Sequence, residues 1–139
     1  MDEGTWDFTA LVDTHVAADR STRARVRRVI DSILRDPGGS HEVTRLAERA
    51  AMSRRTLSRA FRRETGTTPA RFVERARLAL AQALLERSGF RIDGVAERSG
   101  FRNAGRMRRA FRRGLGVSPA GLRRAVLDSP YSGCGTMRR

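Results

Sequence analysis

The sequence of 139 residues contains no lysine, so all 29 basic residues are arginine, and it contains a single cysteine. One cysteine excludes an intramolecular disulfide framework and a cysteine-type zinc site. Cys134 lies in a Gly- and Ser-rich tail and is interpreted as an incidental thiol. The two histidines, His15 and His41, have no companions at ligand spacing. The sequence therefore predicts neither a metal site nor a cofactor.

Long apolar runs are also missing. No stretch approaches the roughly 18 apolar residues of a membrane span, and the acidic N-terminus is unlike a signal peptide. A soluble, cytoplasmic protein without a membrane partner is expected. No nucleophile–base pair and no phosphate-binding loop is present, and the tail cysteine has no neighbour to activate it. The sequence therefore predicts no enzymatic activity.

Acidic residues are few and unevenly placed. The chain has 15 of them against 29 arginines, which gives a formal net charge of +14. Residues 41–127 hold 21 arginines against 7 acidic residues, whereas residues 1–40 hold 6 against 7. An arginine-rich coding bias would explain the absence of lysine but not this concentration. A basic region of this kind is typical of a protein that binds a polyanion.

The basic region contains an internal repeat. LAERAAMSRRTLSRAF at residues 46–61 returns as VAERSGFRNAGRMRRAF at residues 95–111, with one extra residue in the second copy. From the Ala-Phe-Arg-Arg step onward the offset is 50, so Phe61 corresponds to Phe111. Two copies are too few for a solenoid and indicate two small units.

Each copy has the pattern of a helix-turn-helix. Ala47 and Ala96 take the position where two short helices approach most closely. Ser53 and Asn103 are good N-caps for the second helix of each copy, and Gly100 is free to adopt positive φ in the turn. One copy alone is equally well explained as a helical hairpin of a bundle. The matched pair favours DNA binding.

The second helix of the first copy separates into two faces at 100° per residue. Leu57, Ala60 and Phe61 are predicted to point inward. Arg55, Ser58, Arg59 and Arg62 form a stripe on the opposite side, and Gly105, Arg108, Arg109 and Arg112 repeat that stripe in the second copy.

Start and stop signals predict an all-α fold of about seven helices, with two helix-turn-helix subdomains joined by a long connecting helix. Residues 1–20 are predicted to be a weakly structured extension, and residues 128–139 a disordered tail. The DNA-binding domain between them, at 21–127, is predicted to open with a helix from Ser21 to about Arg35 with Leu34 on its apolar face. It continues with a first unit at 40–66 that Ser40 caps, a connecting helix at 69–88, a second unit at 91–116 and a closing helix at 118–126.

Pro69 is well suited to the first turn of the connecting helix. A helix of about 20 residues spans about 30 Å, close to the roughly 34 Å between successive major grooves. Its expected core contacts are Phe72, Ala76, Leu80, Ala83 and Leu84. Three of its arginines, Arg75, Arg77 and Arg87, are expected to be solvated and to pair with Glu74 and Glu86.

A specific set of matched positions spans roughly residues 40–126: Ala47, Met52-Ser53, Leu57-Ser58-Arg59-Ala60-Phe61, Gly66, Pro69, Arg77-Leu78, Ala81, Leu84-Leu85, Ile92, Val95-Ala96, Gly100-Phe101, Arg109-Ala110-Phe111 and Gly116-Val117-Ser118-Pro119. In these residues the chain resembles the DNA-binding domain of the AraC/XylS family of bacterial transcription regulators. TGTTPARF at 65–72 and Met107 are similar to the subgroup that carries an amidotransferase-like sensor domain. The 40 residues before the repeat are too few to hold such a sensor.

Carried over residue by residue, the resemblance implies base reading by Arg55, Ser58, Arg59, Ala104, Gly105, Arg106 and Arg109. An arginine that contacts O6 and N7 of guanine discriminates by roughly 1–3 kcal/mol. Ala104 and Gly105 depart from the family's pattern because neither has a hydrogen-bonding side chain, and Gly105 weakens its helix by about 1 kcal/mol relative to alanine. The second unit is therefore expected to read less sequence and to contact more phosphate. Positioning or phosphate contacts are expected from Ser53, Arg54, Arg62, Arg63, Arg102, Asn103, Arg108, Arg112 and Arg113.

The resemblance implies a sequence-specific regulator that binds double-stranded promoter DNA, with RNA polymerase as a further partner. A monomer in the nucleoid-associated cytoplasm is expected. The alternative is a non-specific basic protein that coats nucleoid DNA or RNA. Such a non-specific protein would have the same positive charge, but it would need neither N-capped helices that enter a DNA groove nor an internal repeat. A protein-interaction bundle would leave the arginine stripes unexplained.

Overall fold

The computed structural model describes the backbone of residues 8–128 and the side chains of residues 20–128. Within this range the chain forms seven helices and no strand, so the predicted all-α fold is confirmed. The helices are α1 (Phe8–Arg35), α2 (Val43–Arg49), α3 (Arg54–Thr65), α4 (Pro69–Arg87), α5 (Ile92–Arg98), α6 (Ala104–Leu115) and α7 (Pro119–Leu127). None of these described helices combines the length and the apolar character that crossing a membrane requires.

Two predicted helix starts are wrong. α1 begins at Phe8, so residues 8–20 are helical rather than weakly structured, and Ser21 lies inside the helix. α2 begins at Val43 with Glu42 at its N-cap and no side-chain cap bond, so Ser40 does not cap it. Serine signals a possible cap, but the helix starts only where the preceding backbone leaves helical geometry. The predicted disordered tail after residue 128, including Cys134, lies outside the described residues.

The described residues pack as two compact units. The first comprises residues 8–32 and Glu42–Pro69, and the second comprises Ile33–His41 and residues 70–128. The loop after α1 and all of α4 beyond Pro69 therefore pack with the second helix-turn-helix. The predicted domain boundaries stay a prediction.

In the core of the first unit, α2 packs against α3. Ala47 is only 4% exposed, in agreement with its predicted place at the helix crossing. Two valines of α1, Val26 and Val29, are buried in the same unit. The remaining fully covered apolar side chains of α2 and α3 are Leu46, Leu57, Ala60 and Phe61.

The core of the second unit is built from α4, α5 and α6. Its buried members are Leu78, Ala81, Leu85, Val95, Ala96, Phe101, Met107, Ala110 and Phe111, with Leu84, Ile92 and Leu122 packed partly against them. Leu34, predicted on the apolar face of α1, is 56% exposed.

The predicted core face of α4 is wrong in part. Of the predicted contacts, Ala76 is buried and Leu84 packs against the core of the second unit, whereas Phe72, Leu80 and Ala83 are only half-buried. The residues that the fold buries are Val73, Ala76, Leu78, Ala81 and Leu85. Alanine and leucine occur on nearly every side of α4, so periodicity alone does not select one face.

Candidate nucleic-acid interface

The turns of the two helix-turn-helix units share one hydrogen-bond pattern. In the first, the Met52 N–H donates to the Ala47 carbonyl at 2.9 Å and the Ala51 N–H donates to the Glu48 carbonyl at 3.0 Å. In the second, the corresponding bonds run from Phe101 to Ala96 at 2.9 Å and from Gly100 to Glu97 at 3.2 Å. Both turns are Schellman motifs, in which the residue after the C-cap takes left-handed geometry.

Left-handed backbone is needed at three positions of these turns. Ala51 has φ of 53° and Gly100 has φ of 88° at equivalent positions. Arg102, the extra residue of the second copy, has φ of 72°. The insertion is therefore absorbed by one left-handed residue immediately before the cap of α6.

α3 and α6 begin and end in the same way. The Ser53 hydroxyl accepts the Thr56 N–H at 3.1 Å, and the side-chain amide oxygen of Asn103 (Oδ1) accepts the Arg106 N–H at 2.9 Å. Both predicted N-caps are confirmed. Each helix has 12 residues and stops at a left-handed glycine, Gly66 in α3 and Gly116 in α6.

The outer face of α3 presents guanidinium groups. Arg55, Arg59 and Arg62 are exposed, and Ser58 beside them is half-buried. Among the described residues no carboxylate is paired with these three arginines. Glu64, the acid nearest in sequence, instead forms an ion pair with Arg23 at 3.3 Å. The guanidinium groups are therefore available to an external anion.

α6 presents a comparable face. Arg106, Arg108, Arg109 and Arg112 are exposed, and across the described range none of them is held by a carboxylate. Arg113 differs because its Nη2 group lies 2.6 Å from Glu74 Oε1. Gly105 is half-buried, and a Cβ added there would lie 3.3 Å from Asn103 Oδ1.

Ala104 is the predicted base-reading residue that the structure removes from the surface. Its side chain is only 7% exposed, because the first residue of α6 points into the second unit. A base contact by the Ala104 side chain would require this surface to be uncovered, and the implied role stays a prediction.

The remaining positioning residues are on the surface. Ser53 and Asn103 are exposed, but their side-chain oxygens are already engaged as caps. The arginines of this group that lie outside the two stripes are also exposed; they are Arg54, Arg63 and Arg102.

Arg77 is the residue that the sequence interpretation missed. It is half-buried rather than solvated, and its Nε and Nη2 groups donate to the carbonyls of Pro37 at 2.9 Å and Gly39 at 2.8 Å. Burial lowers the pKa of the Arg77 guanidinium, and the charge of Arg102 lowers that pKa further. The available signal is spacing, because Arg77 lies four residues from both Val73 and Ala81 on one stripe of α4.

The predicted pairing of the α4 charges is also wrong in part. Glu74 binds Arg113 of α6 at 2.6 Å, and Arg77 binds backbone carbonyls instead of a carboxylate. An i,i+3 or i,i+4 pair is favoured by sequence spacing, but the packing of α6 on the second unit places a competing guanidinium nearer.

A family pattern described as a helix-turn-helix domain matches residues 46–125. An HTH-type transcriptional regulator from Mycobacterium tuberculosis is 44% identical over 59 residues, which are 42% of this chain and 23% of that protein. The chain spans 23% and 34% of the two curated relatives it matches.

Solved structures share the fold. One is the crystal structure of the DNA-binding domain of AdpA, a global transcriptional factor, in complex with a target DNA. It is 42% identical, has a TM-score of 0.71, and the match covers 73% of this chain and 92% of that one. Another is a probable AraC family transcriptional regulator from Rhodopseudomonas palustris, 27% identical with a TM-score of 0.65 over 74% of this chain and 97% of that one. The chain therefore belongs to the AraC-type family of helix-turn-helix transcription regulators, and residues 46–125 carry its DNA-binding domain.

Proposed function

We propose that this chain regulates transcription by placing α3 and α6 in successive major grooves of promoter DNA. The observation that carries the proposal is the pair of equally capped helices, each with a stripe of exposed arginines that no carboxylate of the described residues engages: Arg55, Arg59 and Arg62 in α3, and Arg106, Arg108, Arg109 and Arg112 in α6. The solved complex of the similar AdpA domain with its target DNA supports double-stranded DNA as the ligand.

Base reading is assigned to arginines in the first half of each helix. Arg55 and Arg59 of α3 and Arg106 and Arg109 of α6 are exposed and carry guanidinium groups suited to guanine O6 and N7. Ser58 is half-buried and can use its hydroxyl for a hydrogen bond to a base. Gly105 has no side chain, so the α6 backbone can approach the DNA closely at this position. With Ala104 buried, the second helix has fewer side chains for bases than the first.

Phosphate contacts are assigned to arginines further along the helices. Arg62 and Arg112 lie in the last turn of α3 and α6 and are exposed. Half to two-thirds of protein–DNA hydrogen bonds go to the phosphates and sugars of the DNA backbone. Several arginines of each face are therefore expected to position the helix on the DNA and not to read bases. RNA polymerase contact, action as a monomer and location in the nucleoid-associated cytoplasm are parts of the same proposal.

The test compares two arginines of the same helix. Arg59→Ala is expected to cost about 1–3 kcal/mol on a selected duplex and to relax base preference at one position, because it removes a base contact. Arg62→Ala is the matched control and should weaken binding to all duplexes alike, because it removes a phosphate contact. Affinities are measured by fluorescence anisotropy on the duplex selected from a random pool and on its scrambled version.

Equal losses on the selected and scrambled duplexes for Arg59→Ala would remove the base-reading role. If selection enriches no sequence at all, the chain is instead a non-specific basic nucleic-acid-binding protein. The same comparison on α6, with Arg109→Ala against Arg112→Ala, tests the second helix independently.

A further inference from the structure

The second unit contains a cavity that lies beside the exposed arginine face of α6 and is lined by residues of both α4 and α6. Its volume is about 270 Å³. The charged and aromatic side chains that line it are Glu74, Arg77, Phe101, Arg106, Arg109 and Arg113. Four guanidinium groups and one carboxylate therefore line the cavity. The carboxylate, that of Glu74, already forms an ion pair with Arg113.

The cavity differs from a solvated arginine face because one of its arginines, Arg77, is partly buried. Its side chain is half-buried and its two hydrogen-bond acceptors are backbone carbonyls, which carry no formal charge. No carboxylate is paired with it among residues 20–128. A partly buried charge without a counter-charge is unfavourable, and an anion brought alongside it would offset that cost.

The surroundings hold the Arg77 guanidinium in place. The Pro37 and Gly39 carbonyls engage its Nε and Nη2 groups. Gly100 brings its backbone so close that an added Cβ would lie 2.8 Å from Arg77 Nε. Arg77 is therefore already positioned before any ligand arrives, and the exposed arginines of α6 have only to turn toward it. Preorganised donors reduce the entropic cost of binding.

We propose that this cavity is a phosphate-binding site, in which Arg77 with Arg106, Arg109 and Arg113 holds a phosphate group. Guanidinium groups bind phosphate oxygens bidentately, and several donors around one space suit a ligand with several oxygens better than a single carboxylate. The phosphate belongs either to a free phosphorylated small molecule or to the backbone of the bound DNA. Because Arg106 and Arg109 are the proposed base readers, a free ligand would compete with sequence reading. Only this last consequence rests on the proposed function.

The first experiment needs no DNA. Inorganic pyrophosphate is titrated into the full chain by isothermal calorimetry at constant ionic strength, and saturable one-to-one binding is expected. Arg113→Ala should weaken this binding by about tenfold, as expected for loss of one charge-assisted hydrogen bond. Arg124→Ala is the matched control, because Arg124 is an exposed arginine of α7 that does not line the cavity.

Variants that remove a glutamate test the same site, because here the affinity for pyrophosphate is expected to increase. Glu74→Gln removes the carboxylate from the cavity wall and should tighten pyrophosphate binding by several-fold, because a like charge near the ligand is lost. Glu86→Gln removes an exposed acid of the same helix away from the cavity and should leave the affinity unchanged. Circular dichroism of each variant verifies that the helices remain folded.

Three results would overturn the site: no saturable binding of pyrophosphate, equal effects of the two arginine variants, or equal effects of the two glutamate variants. The source of the phosphate is then identified by repeating the titration on the chain saturated with a duplex of random sequence. Retained binding assigns the cavity to a free phosphorylated ligand. Loss of binding shows that duplex and pyrophosphate share these arginines, and the cavity is then assigned to the DNA backbone if Arg113→Ala also reduces the salt slope of duplex binding by about one, or to a free ligand if that slope is unchanged. Either result upholds the site, and its existence does not depend on sequence-specific reading.

Discussion

Single residues decide how the two helix-turn-helix turns reach the same geometry. Ala51 and Gly100 are equivalent, and both adopt left-handed backbone. An alanine in this conformation costs roughly 1–2 kcal/mol because its Cβ approaches the following carbonyl oxygen. Glycine has no such cost, and at position 100 its missing side chain also leaves room for Gly38 and Arg77.

Gly100→Ala is expected to lower the free energy of unfolding by about 2–4 kcal/mol, because backbone strain adds to overpacking. The new Cβ would lie 2.9 Å from Gly38 Cα and 3.1 Å from the Gly38 carbonyl oxygen. Urea unfolding followed by circular dichroism measures the change. Gly89→Ala is the matched control, since a Cβ there would meet nothing within 4 Å. Similar stabilities of the two variants would contradict the packing argument.

Ala51→Gly is expected to raise the free energy of unfolding, in contrast to Gly100→Ala. It relieves left-handed strain of roughly 1–2 kcal/mol but adds about 0.5–1 kcal/mol of chain entropy, so a net gain of about 0.5 kcal/mol is expected. Thermal unfolding at matched concentration measures it. A lower melting temperature than that of the unaltered chain would mean that the Ala51 backbone is not strained.

At the scale of elements, α3 and α6 owe their matching starts to caps that are readable in the sequence. The cap needs only a short oxygen-bearing side chain three residues before its N–H partner, and both Ser53 and Asn103 satisfy this locally. α4 shows the contrary case. Apolar residues surround it, so the buried side is selected by the helices packed against it and not by its own periodicity.

Capping and DNA contact at Ser53 can be separated by two variants. Ser53→Ala should lower the free energy of unfolding by about 1 kcal/mol because the Thr56 N–H loses its acceptor. Ser53→Asp should keep the stability, since aspartate caps equally well, but should weaken DNA binding because it adds a negative charge at the proposed interface. Unfolding and anisotropy measurements on both variants check this. Unchanged DNA affinity for Ser53→Asp would place Ser53 away from the phosphates.

At the scale of the whole molecule, the net charge of +14 is the dominant property. DNA affinity is expected to fall steeply with salt, with a slope in a double-logarithmic plot of about −0.9 for each phosphate neutralised. Arg62→Ala should reduce the magnitude of that slope by about one. Binding isotherms over a range of sodium chloride concentrations give the slopes. An affinity indifferent to salt would show that phosphate contacts are not the main contribution.

Features that depend on near neighbours could be predicted from the amino-acid sequence. The repeat, the caps Ser53 and Asn103, the left-handed Gly100, and the separation of α3 into an apolar and an arginine face all follow from spacings of a few residues. The prediction of two helix-turn-helix units followed from the same local signals because both copies agree, and the resemblance to a known family supplied the AraC-type assignment.

Which arginines lie on the surface and which take part in the packing of the fold depends on long-range contacts, and the sequence does not predict it. Arg75 and Arg77 lie two residues apart on α4, yet one is exposed and the other is half-buried against the loop after α1. Glu74 is committed to Arg113, 39 residues away, and Ala104 is covered although it opens an exposed helix. These outcomes depend on residues distant in sequence that fold onto the same unit. The spacing of Arg77 from Val73 and Ala81 indicates which side of α4 it shares, but not the carbonyls of Pro37 and Gly39 that it binds.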